Sequence, residues 1–180
     1  MMPFVNLKTI GIREIAALEA RWDEPGNAPL LEDAYGFQAF RIPDFLQLLY
    51  YAVTAEPAPR TFLDAGAGIG TKVILAREVF GLAAAGIDVV EEYLAEALRL
   101  GAPVDEADAM TYEAYGQWDV VYHYGPYREP ERQVEFERRL QSEMAPGAVL
   151  VAAMPSAKPA AWESLFRAPW QGVWRKPAVA

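Results

Sequence analysis

Cysteine is absent from the chain and histidine occurs once, as His123. Without thiols there is no disulfide, no thiolate metal site and no cysteine nucleophile. One imidazole cannot build a multi-histidine zinc centre, so no metal site is expected. Positive charge is also scarce: 16 Lys and Arg face 25 Asp and Glu, for a formal net charge of −9. Nucleic-acid backbones are gripped by rows of Lys and Arg, so RNA and DNA are disfavoured as partners, although a local basic patch stays open. Long apolar runs are missing too. The longest, at about residues 148–154, falls far short of the roughly 20 residues that span a bilayer. The opening Met1-Met2-Pro3-Phe4-Val5-Asn6 has neither the basic start nor the apolar stretch of a secretory signal. The expectation is a cytoplasmic protein with no membrane partner.

What is present is enough for a core. The 180 residues are 53% hydrophobic and 23% charged, which fits a single compact domain, here 1–180, and excludes disordered and collagen-like classes. Ile15, Leu18 and Trp22 share one face of a helix expected over residues 7–22, and residues 23–29, rich in Pro and Gly, break it. A second helix follows Pro43 and Asp44, with Phe45, Leu48, Leu49, Ala52 and Val53 as its apolar stripe and Asp44 as its expected N-cap. From residue 60 the pattern becomes short apolar runs alternating with helices. Strands are expected at 61–64, 84–89, 104–108, 119–124 and 148–154, with helices at 71–80, 91–100 and 129–144. Near-continuous apolar strands alternating with helices imply a parallel sheet covered on both faces.

The first strand delivers Asp64-Ala65-Gly66-Ala67-Gly68-Ile69-Gly70 to the carboxyl edge of that sheet, where ligands of open α/β sheets bind. A dinucleotide fingerprint counted from Gly66 and Gly68 needs a third glycine where Thr71 stands, so nicotinamide binding would require tolerating Thr71. A phosphate-binding P-loop fails as well, because Lys72 follows Thr71 and is followed by Val73.

The loop resembles the D-x-G-x-G-x-G signature of class I S-adenosylmethionine-dependent methyltransferases, and four further stations follow in order over residues 60–154. Gly86-Ile87-Asp88 ends the second strand 24 residues after Asp64; Asp105-Glu106-Ala107-Asp108-Ala109 ends the third; Trp118-Asp119-Val120-Val121 enters the fourth; Met144-Ala145-Pro146-Gly147-Ala148 turns into the fifth. The resemblance implies a Rossmann-like α/β fold, strand order 3-2-1-4-5, and S-adenosyl-L-methionine as cofactor. It implies that Asp64, Gly66, Ala67, Gly68 and Gly70 belong to the cofactor site, Asp64 organising the loop and helping to hold the cationic aminoacyl end, whose carboxylate faces the amides near Gly68 to Thr71, and that Asp88 accepts both ribose hydroxyls. Val89 would pack on adenine, and Asp108 or the amide of Ala109 would meet its edge, with Asp105 and Glu106 as alternative registers.

Two departures bear on the rest. Residues 155–180 leave room for one helix near 160–167 and at most one short strand near 172–175, so the C-terminal strands are expected to be shortened or missing. Trp162, Phe166, Trp170 and Trp174 then either cover the exposed edge or form a homo-oligomer contact. After the fourth strand, Tyr124-Gly125-Pro126-Tyr127 resembles the [DN]-P-P-[YF] motif of amino-methyltransferases, but Tyr124 replaces the amine-binding Asp or Asn. The catalytic candidates are therefore His123, as a general base, with Tyr124 and Tyr127, which together with Tyr122 either line the acceptor pocket or pack beneath the helix that begins near Glu129. Strand alternation allows His123 to face away from Tyr122 and Tyr124, as a structural residue.

Residues 1–59 are expected to form a helical lid or cover, 60–154 the cofactor-binding core and 155–180 a C-terminal cover. The aromatic segment from Ala34 to Phe40 is either a substrate lid or a packed connector. Lys72, Arg138 and Arg139 read as solvated helix faces. The expected activity is methyl transfer to an unidentified acceptor, small molecule or protein ahead of nucleic acid. The alternative is a non-catalytic module that binds S-adenosylmethionine or S-adenosylhomocysteine.

Overall fold

The computed structural model describes residues 11–24 and 36–178. Its elements in chain order are α1 (Ile12–Trp22), α2 (Ile42–Val53), β1 (Thr61–Ala65), α3 (Thr71–Phe80), β2 (Ala83–Asp88), α4 (Glu91–Leu100), β3 (Val104–Glu106), a short 3-10 turn at Tyr115–Gln117, β4 (Val120–Tyr124), α5 (Pro130–Glu143), β5 (Val149–Ala153), β6 (Glu163–Ala168) and β7 (Gln171–Arg175). Seven strands form one sheet in the order β3-β2-β1-β4-β5-β7-β6. The first five are parallel, and β7 joins β5 and β6 antiparallel.

The pleat sends alternate residues to opposite faces, and each face has its own core. Phe62, Val120, Tyr122, Val149 and Val151 pack under Phe45, Leu48 and Leu49 of α2 and Ile74 and Leu75 of α3. Leu63, Val121, Leu150 and Ala152 pack under Phe136 and Leu140 of α5. The central strands are therefore buried on both sides, which is why they read as continuous apolar runs. The stripe expected on α2 is the buried one, but Ile42 and Pro43 are already helical, so the N-cap is Arg41 and Asp44 lies in the first turn. Pro there has no helical hydrogen bond to lose.

The C-terminal edge corrects the expectation of missing strands and of a helix near 160–167. Residues 163–175 form a hairpin, β6 and β7, turning at Pro169 and Trp170. Both faces of β7 are buried at its centre. Val173 enters one core and Trp174 the other, while Phe166 stacks on Tyr51 of α2 at 4.7 Å. A Cβ at position 172 would lie 2.3 Å from the Trp174 ring, so Gly172 lets the indole fold back over the strand. Lys176 then donates to the carbonyls of Gln141, Ser142 and Met144 at 2.6–3.0 Å, tying the chain end to the C-terminus of α5. Trp162 packs partly buried against the α5 face, and Trp170, at the hairpin tip, is exposed.

Candidate functional site

A cleft of about 320 Å³ opens at the carboxyl ends of β1, β2, β3 and β4, at the low end of the size range of ligand pockets. Its floor is Asp64, Gly66, Ala67 and Gly68 from the loop after β1; Ile87, Asp88 and Val89 form one wall and Asp108 and Ala109 the end beyond it. Tyr122, Tyr124, Pro126 and Tyr127 form the opposite wall. The sequence signature therefore converges in space.

The loop is held by its own backbone. The amides of Gly66 and Ala67 both donate to the carbonyl of Ile87, at 3.0 and 2.9 Å. Gly68 has φ +53 and a Cβ there would sit 2.9 Å from the Phe37 ring, so glycine is required by both the turn and the close approach. Gly70 differs from its neighbours. It has φ +75, its Cβ would collide with that of Ala102 at 2.5 Å, and it is not a cleft residue. Its place behind the loop makes it a packing position where α3 begins, which corrects the expectation that it touches the cofactor.

Asp64 is 2% exposed, and its Oδ1 has no hydrogen-bond partner among the described residues. Burial pushes its pKa well up; Lys72 pulls it back, while Asp88 and Glu19 add to the rise. Asp88 accepts three amides: Gly68 on Oδ2 at 2.7 Å, and Val89 and Val90 on Oδ1 at 2.8 and 3.0 Å. Burial raises its pKa and those three bonds oppose the rise. A carboxylate offers about four acceptor positions, so Asp88 organises the loop and retains capacity for a ligand hydroxyl. Asp108 accepts the Met110 amide at 2.8 Å and the Tyr127 hydroxyl at 2.9 Å, both on Oδ1. Of the three acidic residues Asp105, Glu106 and Asp108, Asp108, just past β3, is the one at the cleft.

The aromatic wall divides by pleat. Tyr122 and Tyr124 face the cleft, and Tyr122 keeps a buried hydroxyl without a partner among the described residues. His123 points to the other face. It is fully buried against Phe136 at 5.4 Å, with its Nε2 3.9 Å from Glu137. Burial lowers its pKa, with Glu137 opposing. His123 is absent from the cleft, because in β4 consecutive side chains cannot share a face; this corrects its candidacy as a general base there. Tyr127 reaches the cleft, but its hydroxyl is given to Asp108, and burial first, then that bond, raises its pKa.

Gly36, Phe37, Gln38 and Phe40 border the cleft. Phe37 lies over the glycine loop and its amide donates to the Tyr93 hydroxyl at 2.6 Å, while Phe40 packs on Tyr124 at 5.0 Å. This part of the aromatic segment is thus both connector and cover; Ala34 and Tyr35 lie outside the described residues, as does the start expected for the first helix at residue 7.

Sequence reasoning missed three residues. Lys72, expected on a solvated face, is 6% exposed and lines the cleft. It pairs with Glu19 of α1, which is also buried and accepts the hydroxyl of Thr71. The available signal was position: Lys72 is the second residue of α3, and side chains in a helix lean back toward its N-terminus, here toward the cleft. Arg139, read with Arg138 as solvated, forms an ion pair with Glu143 at 2.7 Å and donates to the Tyr112 carbonyl at 2.9 Å. Among the described residues no cluster of potential ligands could hold a metal ion and no helix is long and apolar enough to cross a membrane.

No protein-family model matches the chain, and no curated protein matches it in sequence. Solved structures do match in fold. An RNA methyltransferase from Salinibacter ruber, in complex with S-adenosyl-L-homocysteine, superposes with TM-score 0.63 at 18% identity over 79% of this chain and 96% of that one. The phosphoethanolamine N-methyltransferase 2 of Haemonchus contortus, bound to S-adenosylhomocysteine and phosphomonomethylethanolamine, gives 0.56 at 21% over 79% and 32%. The plantazolicin methyltransferase BpumL, in complex with a pentazolic desmethylPZN analog and S-adenosylhomocysteine, gives 0.53 at 20% over 78% and 52%. The chain thus spans nearly all of the first, about half of BpumL and a third of the Haemonchus protein. Its fold is the Rossmann-like fold of these methyltransferases, with the strand order 3-2-1-4-5 continued by an antiparallel hairpin.

Proposed function

We propose that the chain is an S-adenosylmethionine-dependent methyltransferase acting on a small molecule or a protein. The observation that carries this reading is the juxtaposition of Asp64 and Asp88 at neighbouring strand tips on one cleft, with an unpartnered buried oxygen on Asp64. A buried acceptor left unmade is costly, and a ligand ammonium supplies its partner. Asp88 has acceptor capacity for ribose. Beyond it, Asp108 lies at the end of the cleft, where its carboxylate suits an exocyclic amine, with Val89 on the rim of the base site. These residues fit the cofactor along its length.

The bound cofactor would supply an electrophilic sulfonium methyl. The protein's contribution is then orientation and exclusion of water, which can account for much of the barrier in a displacement. Gly66, Ala67 and Gly68 fix the floor, and Phe37 and Phe40 cover it. Phe40, Tyr122 and Tyr124 form a largely apolar approach for the acceptor. With His123 on the other face, Tyr124 is the titratable side chain best placed toward the acceptor; burial raises its pKa, so it serves as a hydrogen-bonding wall rather than as a ready base. The net charge of −9 supports a neutral or cationic acceptor over nucleic acid.

Titration calorimetry tests the reading. Heat is expected with both S-adenosylmethionine and S-adenosylhomocysteine. Asp88→Asn, which offers Gly68 a donor in place of an acceptor, should weaken both by about tenfold or more. Silence with both ligands defeats it. Incorporation of tritiated methyl into a lysate that disappears with Asp88→Asn would identify the acceptor fraction and distinguish an enzyme from a binding module.

A further inference from the structure

We infer that Lys72 binds the carboxylate of the cofactor's aminoacyl tail, and that Glu19 of the N-terminal helix α1 is the positioning residue that aims it. This rests on the cofactor assignment above and adds to it a residue and an element outside the glycine signature.

Three observations converge. Lys72 is 6% exposed, yet it borders the cleft beside Asp64. A buried ammonium is tolerated when its three N–H donors find acceptors, but among the described residues Glu19 is its one hydrogen-bond partner, so donors remain for a ligand. Asp64, whose titration the same Lys72 depresses, has the opposite want: a buried oxygen with no donor. An α-amino acid tail carries both missing groups on adjacent atoms, a carboxylate for Lys72 and an ammonium for Asp64. Methyl acceptors in general need not, which makes the cofactor tail the better occupant.

Glu19 is placed to hold the lysine rather than to touch the ligand. It is buried, it is not a cleft residue, and it also accepts the Thr71 hydroxyl. Its helix is fixed by Ile15, buried in the main core, and by Leu18 and Trp22, which pack on Ile69, Val90 and Tyr93. Trp22 meets Tyr93 edge-on at 5.5 Å. The wall behind the tail is therefore built by α1, and the ion pair sets where the ammonium points. The same ammonium lies 5.9 Å from the Phe45 ring, and without Glu19 the flexible stem of Lys72 would have alternative rotamers.

The experiment compares two ligands that share adenosine and the thioether but differ in the tail: S-adenosylhomocysteine and 5′-methylthioadenosine. Binding of each is measured by calorimetry to the wild type, to Lys72→Met and to the double variant Glu19→Gln with Lys72→Met. The double variant removes both charges, so no unpaired carboxylate is left buried to repel the ligand or to unfold the protein. In both variants the preference for S-adenosylhomocysteine should narrow by about tenfold or more, while 5′-methylthioadenosine stays within about twofold. Lys72→Arg should restore part of the preference. An unchanged preference in the double variant overturns the inference, since any loss in Lys72→Met would then come from the stranded Glu19. Equal losses for both ligands overturn it too, because they mark a structural ion pair. If the wild type binds neither ligand, the cofactor assignment fails and the inference with it.

Discussion

At the residue scale, the two faces of β4 decide what His123 does. Its ring is buried and neutral, with a pKa lowered from the ordinary 6.5 by desolvation. In the unfolded chain the imidazole takes up a proton below about pH 6.5, and in the folded chain it does so only at lower pH. Between those two values the unfolded state binds more protons, so stability falls as pH falls through that window. His123→Gln should flatten this part of the stability profile, by up to about 1.4 kcal/mol per pH unit, as read from urea melts across the window. Methyl-transfer activity should stay near that of the wild type, because the ring does not reach the cleft. That the residue type suits a general base was legible in the sequence. Its face was not, since a one-residue slip in where the strand begins reverses every side chain.

At the scale of elements, the strands and helices between residues 60 and 154 follow from the apolar pattern, and α3 and α4 stop at Gly81 and Gly101 in the left-handed conformation typical of helix ends. The hairpin of β6 and β7 did not follow. Trp162, Phe166, Trp170 and Trp174 have spacings of four, which imitate a helical stripe, whereas the structure alternates them across two cores and an exposed tip. The helix reading of 160–167 fails because β5 offers an unpaired edge that a hairpin strand can satisfy and a helix cannot. Gly172 tests this packing. A Cβ there meets the Trp174 ring, so Gly172→Val should destabilise by about 1–3 kcal/mol through overpacking. The loss should appear as a lower midpoint in urea with an unchanged slope.

At the scale of the whole molecule, the proposed seating of the cofactor's ammonium on Asp64 would link ligand and proton. The folded pKa of Asp64 is raised, so its contribution to the stability of the empty protein is fully present below the ordinary value of 3.8 and is lost as pH rises through the raised one. An arriving ammonium requires the ionised form, so cofactor binding releases a proton wherever Asp64 is still protonated. Affinity for S-adenosylhomocysteine should therefore rise with pH, by up to about tenfold per unit, and level off above the raised pKa. Calorimetry in two buffers of different ionisation heat should show net proton release over the rising part. Proton uptake there would contradict the placement of the ammonium on Asp64. Asp64→Asn should abolish the linkage.

The sequence by itself determined the strands and helices of residues 60–154 and the glycine loop between β1 and α3, because strand and helix periods and a glycine turn are local properties of a few adjacent residues; the order 3-2-1-4-5 came from the resemblance carried by the five motifs in succession. Asp64, Asp88 and Asp108 could be singled out as candidates for that reason: each lies at or just beyond the tip of a strand, and parallel strand ends share one edge. Only the tertiary structure decided that Lys72 is buried against Glu19, that Gly70 packs rather than binds, that His123 faces away, and that the last strands complete the sheet. Each of those depends on a partner distant in sequence or on the pleat face, and no local pattern encodes the partner. Lys72 and Glu19 are 53 residues apart, and what joins them is the packing of α1 over the start of α3.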